Sequence, residues 1–301
     1  MSKPNVALIG MGLIGSSLGH ALKKNDLASH ISGYARSAQT REAAMDIGFV
    51  DSVHDTPEAA CIDADVVFFN TPLSAVKALA EQIIPGLKDN AILTDVGSVK
   101  AGVLKDISPL LDKRVHFVPG HPIAGTEESG PTAGFAELFE GRWCILTPGD
   151  KTSLIAVEQV SKLWQGMGSE VTFMDAAHHD LVLAITSHLP HLIAFNIVGT
   201  AAQLENDTRS EVIKYSASGF RDFTRIAASD PIMWRDIFIE NKDAVLEVLG
   251  RFSEDLTALQ RAIRHSDADY LEEVFTRTRG IRQSVVEAGQ DTDAANFGRD
   301  E

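Results

Sequence analysis

His121 lies in the run Gly120-His121-Pro122-Ile123-Ala124-Gly125-Thr126-Glu127, directly after an apolar stretch that reads as a strand. Imidazole is the side chain whose ordinary pKa suits it to take and return a proton near neutrality. In an open α/β sheet, ligands bind in the crevice beyond the carboxyl ends of the strands, where this histidine falls. A second signature opens the chain: Val6-Ala7-Leu8-Ile9-Gly10-Met11-Gly12-Leu13-Ile14-Gly15 carries G-x-G-x-x-G between an apolar run and a helical pattern. Gly10 allows a tight turn, Gly12 lets the backbone approach a pyrophosphate, and Gly15 lets the helix pack against the strand. The helix N-terminus, with Leu13 and Ile14, then stabilises the negative charge. A general base near a dinucleotide site is the equipment of a dehydrogenase. The base takes a hydroxyl proton while a hydride leaves the same carbon.

The choice of dinucleotide rests on Gly33-Tyr34-Ala35-Arg36-Ser37, where the second strand should end. A carboxylate there would accept from the ribose 2′-hydroxyl of NAD and repel a 2′-phosphate. Ala35 occupies that place, and Arg36 with Ser37 offers donors to a phosphate, which leans towards NADP or dual use. The alternative is that Arg36 stacks on the adenine or lies in solvent. Thr71 and Pro72, just past the strand expected at 65–70, complete the cofactor set.

Three further segments bear polar groups that face the same crevice or the second half of the chain. Ser98, in Asp95-Val96-Gly97-Ser98-Val99-Lys100, follows a strand and could equally cap a helix beginning near Val99. Ser187 and His191 lie four residues apart, hence on one helical face, with Pro190 expected to kink that helix. Arg221, Asp222 and Arg225 read first as surface ions. His178, His179 and Asp180 look like a metal site but point in different directions on a helix, so a solvated helix start is expected and no metal is assigned.

Taken in order, the four segments around Ser98, His121, Ser187–His191 and Phe220–Ala227 closely resemble the prephenate/arogenate dehydrogenase family of tyrosine biosynthesis, from Val6 to about Trp234. The resemblance implies that His121 accepts the proton of the substrate's ring hydroxyl and that Ser98 orients it beside the nicotinamide. It implies that Ser187 and His191 contact the substrate, that Arg225 binds a carboxylate with Asp222 positioning it, that Glu127 is an acid at the pocket mouth, and that Trp234 lies near the site. Partial desolvation of Arg225 between Phe and Ile residues would strengthen such a pair. The implied reaction is NAD(P)-dependent oxidative decarboxylation of prephenate, arogenate or both. The ring becomes aromatic as CO2 leaves, so no metal is called for. The competing readings are another two-domain hydroxyacid dehydrogenase, for which no lysine base motif is found, and a dinucleotide-binding sensor without catalysis.

The elements that must position these residues follow a simple plan. The chain has 301 residues, enough for about two domains. Strand patterns at 5–10, 31–34, 65–70, 91–95, 115–120 and 143–147 alternate with helical patterns at 13–24, 38–47, 75–84 and 99–107. That alternation predicts an α/β Rossmann-type, doubly wound parallel sheet over 1–173. Helical spacing at 181–204, 232–249 and 256–263 predicts an all-helical substrate and dimerisation domain over 174–288, with 289–301 as a disordered tail. The broad apolar face of 189–198 is expected to be buried, in one solution against a second subunit of a homodimer. A net charge of −15 disfavours nucleic acid and anionic membranes and requires a locally positive pocket for a small anionic substrate. No leader and no apolar run approaching a bilayer span are recognised, so a cytoplasmic protein is expected. Cys61 and Cys144 are expected as buried thiols.

Overall fold

The computed structural model describes residues 3–126, 128–203, 214 and 218–287. The chain divides into two compact units, Met1–Val245 and Leu246–Glu301. The first contains an eight-stranded sheet: β1 (Asn5–Ile9), β2 (His30–Tyr34), β3 (Ser52–His54), β4 (Val66–Phe69), β5 (Ile92–Asp95), β6 (His116–Pro122), β7 (Trp143–Leu146) and β8 (Glu170–Phe173). The spatial order is β3-β2-β1-β4-β5-β6-β7-β8, so the winding reverses between β1 and β4. A crevice opens at such a reversal, beyond the strand ends.

β4 is apolar along its whole length, and β1 from Val6 onward, because helices cover both faces. Val6 and Leu8 pack with Phe68 and Trp164 on one side, while Ala7 and Ile9 pack with Val67, Phe69 and Phe117 on the other. Burying each of these large side chains contributes roughly 1.5–3 kcal/mol. Helices α1 (Leu13–Lys24) and α2 (Ala38–Ile47) run as expected. Ser37 accepts from Thr40 N at 3.3 Å, and Gly48 closes α2 in the left-handed region at φ 87°. Short elements were missed: β3, β8 and α3 (Pro57–Cys61) are too brief to show a period, and α6 (Leu154–Gly166) was not singled out.

The sheet departs from the expected all-parallel form at one place. β6 and β7 are antiparallel, pairing His121 with Ile145 and Pro122 with Cys144. Among its described residues the 123–142 connection has short 3₁₀ turns and no crossover helix, so the chain returns along its neighbour. β6 is thereby extended to Pro122, and His121 sits inside a strand rather than just after one.

Beyond the sheet the unit is helical. α4 (Leu73–Ile83) starts two residues earlier than expected, and α5 (Ala101–Ile107) two later. α7 (Ala176–Leu183), a π turn at Ala184–His188 and α8 (Leu189–Ala202) run on without a break. The π turn absorbs Pro190, which stands in the first turn of α8 where its missing N–H costs least. By length and composition, the 27-residue run Ala176–Ala202 is long and apolar enough to cross a membrane, contrary to the sequence expectation. Ala194 is the buried residue of α8, and Ile197 and Val198 are exposed, so the broad apolar face is not covered within the chain as described. Next come the helix Ser218–Thr224, a 3₁₀ turn at Arg225–Ala228 and the helix Pro231–Glu240. The helix expected at 232–249 is interrupted at Asn241, which ends one helix before Lys242–His265 begins. The helix Ala268–Glu287 was not anticipated, and the expected tail at 289–301 lies outside the described residues.

Candidate active site

The glycine turn at the end of β1 is built as the motif requires. Gly10 has φ +101°, and a Cβ there would lie 2.5 Å from the Asn70 carbonyl oxygen. A Cβ on Gly15 would fall 2.1 Å from the Gly10 oxygen, so only glycine lets α1 start this close to β1. Gly12 faces open space, with nothing within 4 Å of the Cβ it lacks. Among the described residues no side chain caps α1, and no acid occupies its first turn, leaving the N–H groups near Leu13 and Ile14 for an anion. Across the crevice, Asn70 Nδ2 donates to the Gly10 oxygen at 3.3 Å, while Asn70 Oδ1 and Thr71 Oγ1 are buried without a partner among the described residues. Pro72 stands as the N-cap of α4 beside them. These residues fit a dinucleotide: glycines where its phosphates pass and unmatched polar atoms beside them.

The end of β2 differs from the sequence reading in one respect. Ser37 is engaged as the α2 cap. Ala35 is half-buried and Arg36 exposed. Arg41, which the sequence reading did not single out, turns back so that Nη1 donates to the Ala35 oxygen at 2.6 Å and Nη2 meets Asp55 Oδ1 at 2.7 Å. Arg36, exposed, and Arg41, paired with Asp55, therefore border the place where an acid would read a ribose.

His121 is nearly buried at the carboxyl end of β6. Its Nδ1 lies 2.9 Å from His179 Nε2, and His179 Nδ1 lies 2.8 Å from Asp180 Oδ1. Asp180 in turn accepts from Lys100 N at 2.8 Å and from Ala101 N at 2.9 Å, so it caps α5 from 80 residues away. The expected solvated start at His178–Asp180 is thus half wrong: His178 is exposed, but His179 and Asp180 are buried. Ser98 is not the cap of α5, which begins only at Ala101; it stands half-buried in the segment between β5 and that helix. Burial, reinforced by the charges of His179, Lys100 and His188, holds the His121 pKa well below its ordinary value. At neutral pH the ring is therefore unprotonated and ready to accept.

Under His121 runs a second buried network that the sequence reading passed over. Lys100, fully buried, pairs with Asp95 and donates to the Gly120 oxygen at 2.7 Å. Asp95 also accepts from Gly97 N at 2.9 Å and Gly120 N at 3.3 Å. This ties the end of β5 to the residue preceding His121.

Ser187, His188 and His191 are brought round by the π turn. His191 Nδ1 donates to the Ser187 oxygen at 2.9 Å, and its ring stacks on Trp234 with centroids 3.7 Å apart. Trp234 is buried against Val99 and Phe195, joining the β5 end to α8. His188 is buried and held by Asn241 Nδ2, which also donates to the Asp180 oxygen at 2.8 Å. Desolvation lowers the His191 pKa, the bond to the Ser187 oxygen works against that, and the Arg225 charge lowers it further. Arg225 is nevertheless exposed, not partly desolvated as its flanking residues suggested. Asp222 lies 3.5 Å from Arg221 Nε. Glu127 falls outside the described residues. An open pocket at the amino end of β6, lined by Leu104, His116 and Thr152, contains none of these candidates.

Residues 18–173 match the family described as prephenate dehydrogenase, nucleotide-binding domain, and residues 175–277 match prephenate dehydrogenase, dimerization domain. The chain is 42% identical to a cyclohexadienyl dehydrogenase of Zymomonas mobilis over 93% of its own length and 96% of that protein. It is 35% identical to a prephenate dehydrogenase of Bacillus subtilis over 94% of its length and 76% of that protein. Among solved structures it is similar to the Aquifex aeolicus prephenate dehydrogenase in complex with hydroxyphenyl propionate and NAD+. That match has a TM-score of 0.88 and 35% identity, covering 95% of this chain and 99% of the other.

Proposed function

The chain belongs to the prephenate dehydrogenase family, and on that premise we propose that it oxidatively decarboxylates prephenate, arogenate or both, with His121 as general base. The observation that carries the reading is a buried, unprotonated imidazole at the carboxyl end of β6, in a sheet whose glycine turn fits a dinucleotide. Gly10, Gly12, Leu13, Ile14 and Gly15 would hold the pyrophosphate, Thr71 and Pro72 would line the crevice opposite, and Ala35, Arg36 and Ser37 would border the ribose. When bound, the nicotinamide takes up the hydride. His121 receives the ring-hydroxyl proton as positive character grows on the carbinol carbon, and returns it to the oxygen once CO2 has left and the ring is aromatic. The reaction therefore releases no net proton.

Ser98 sits beside this chemistry and orients the base. Ser187, His191 and Trp234 form the substrate wall, and Arg225, with Asp222, supplies the positive charge that an anion needs on a chain of net charge −15. With Arg36 exposed at the end of β2 and no carboxylate at Ala35, NADP is accepted as well as NAD. The boundary between cofactor and substrate domains is drawn at 173/174, which the junction of the two family matches supports. The protein works as a cytoplasmic homodimer without membrane or nucleic-acid partners. The exposed apolar face of α8 is the surface a second subunit covers, and light scattering should give about twice 32.5 kDa.

The direct test is absorbance of the reduced nicotinamide with prephenate and with arogenate, under each cofactor. His121→Asn should slow turnover by roughly 10²–10⁴-fold while the dissociation constant of the cofactor stays unchanged. A folded variant with wild-type turnover would refute the assignment.

A further inference from the structure

We propose that Asp180 and His179 are positioning residues for the reaction: Asp180, acting through His179, sets the tautomer of His121 so that its Nε2 carries the lone pair. This rests on the reading of His121 as the base. The argument is one of hydrogen-bond accounting along three buried groups. The Asp180 carboxylate already accepts from Lys100 N and Ala101 N at the start of α5, so it is an acceptor on every side. Its partner at 2.8 Å, His179 Nδ1, must then be the donor. A neutral ring with its proton on Nδ1 has a lone pair on Nε2. The group 2.9 Å from that lone pair, His121 Nδ1, must in turn donate. His121 is left with one free basic nitrogen, Nε2. A ring in the other tautomer would set two lone pairs against each other and present an N–H where a base is needed.

The same chain acts after the proton arrives. Imidazolium at His121 donates from Nδ1 to a ring that Asp180 polarises, so the positive charge is met by a carboxylate two bonds away. Among the described residues, the titratable groups facing His121 are His179 from α7, Lys100 at the start of α5, His188 in the π turn and Cys144 on β7. Lys100 is neutralised by Asp95, and burial keeps the Cys144 thiol protonated. Among the described residues, Asp180 is therefore the negative charge available to the protonated base. Its fixing on α5, together with Asn241 on its own backbone oxygen, means the tautomer is imposed by the fold rather than by substrate.

The test compares Asp180→Asn, His179→Leu and His179→Gln with wild type. Asparagine removes the charge and also sets an NH2 against one of the two α5 N–H groups, so its fold is checked by circular dichroism, while the glutamine carbonyl can still accept from His121 Nδ1 and serves as the rescue. In a Ser-His-Asp triad, replacing the carboxylate that orients the imidazole costs about 10⁴ in kcat. With a second ring interposed, Asp180→Asn and His179→Leu are expected to lose roughly 10- to 100-fold in kcat, with substrate KM little changed. Their kcat/KM profiles should show the acidic limb moved to lower pH. His179→Gln should recover most of the loss. Independently of turnover, ¹⁵N NMR of histidine-labelled free protein should show His121 with its proton on Nδ1 in wild type and His179→Gln, and a mixed or reversed tautomer in the other two. A wild-type His121 carrying its proton on Nε2, or a folded Asp180→Asn with unchanged kcat and acidic limb, overturns the proposal. If His121→Asn itself turns over normally, the base assignment fails and the relay fails with it. If that variant is dead while Asp180→Asn and His179→Leu are innocuous, the relay alone is overturned.

Discussion

Replacing Lys100 by methionine probes the buried pair beneath His121. The side chain is fully buried and makes two bonds, to Asp95 and to the Gly120 oxygen. Removing one partner of a buried ion pair costs about 3–5 kcal/mol, because the remaining charge is left without compensation. Asp95 keeps its bonds from Gly97 N and Gly120 N, which places this loss near the lower end. The Gly120 oxygen, buried and stripped of its donor, adds about 1–3 kcal/mol. Lys100→Met is thus expected to lose about 4–6 kcal/mol, a large share of the roughly 5–15 kcal/mol that holds a native protein together. Asp95→Asn combined with Lys100→Met removes both charges and should cost only about 1–3 kcal/mol, so the two changes are strongly non-additive. Urea unfolding at one protein concentration, followed by circular dichroism, measures Lys100→Met, Asp95→Asn and the double variant. A loss below 1 kcal/mol for Lys100→Met, or simple additivity in the double variant, would show that the pair contributes nothing beyond filling space.

Arg36→Ala should weaken NADP roughly tenfold while leaving NAD little changed, and Ala35→Asp should favour NAD by adding a ribose acceptor and a repulsive charge; equal effects on the two cofactors in fluorescence titrations would remove Arg36 as a phosphate reader. Burial pushes the His188 pKa from 6.5 down to about 4, so between those values the unfolded chain binds the proton that the native chain refuses. Stability should therefore decline as pH falls from 6.5 to 4, by at most about 3 kcal/mol from this group, and the slope should be shallower in His188→Gln; identical slopes would contradict the burial argument. Arg225→Ala should raise substrate KM roughly tenfold with cofactor KM unchanged, and Arg225→Lys should recover only part because an ammonium lacks the planar fork. Greater damage from Arg221→Ala would identify the other arginine as the anion partner.

Much of this protein was legible in its sequence because the decisive features are local. A glycine that must take φ +101° and another whose Cβ would strike its neighbour's oxygen are written into ten consecutive residues, and so the first turn was readable. α1 and α2 were placed residue for residue, since the amphipathic period of each is local and, for α2, so are the Ser37 cap and the closing Gly48. His121 stood out for the same reason, at the end of an apolar run. What only the tertiary structure decided are the pairings across distance. His179 and Asp180 looked like surface residues at a helix start. They are buried because that helix lies against the start of α5, where two backbone N–H groups call for a carboxylate. Lys100 carries no local sign that it would lie inside the protein beside Asp95 and the Gly120 oxygen. The antiparallel β7 depended on a connection too irregular to show any period, and Asn241 broke a helix whose apolar spacing ran on unchanged, because its amide was claimed by Asp180 and His188. Periodicity records which face of an element is buried; it holds no information about which partner waits there, and in this protein the partners set the state of the base.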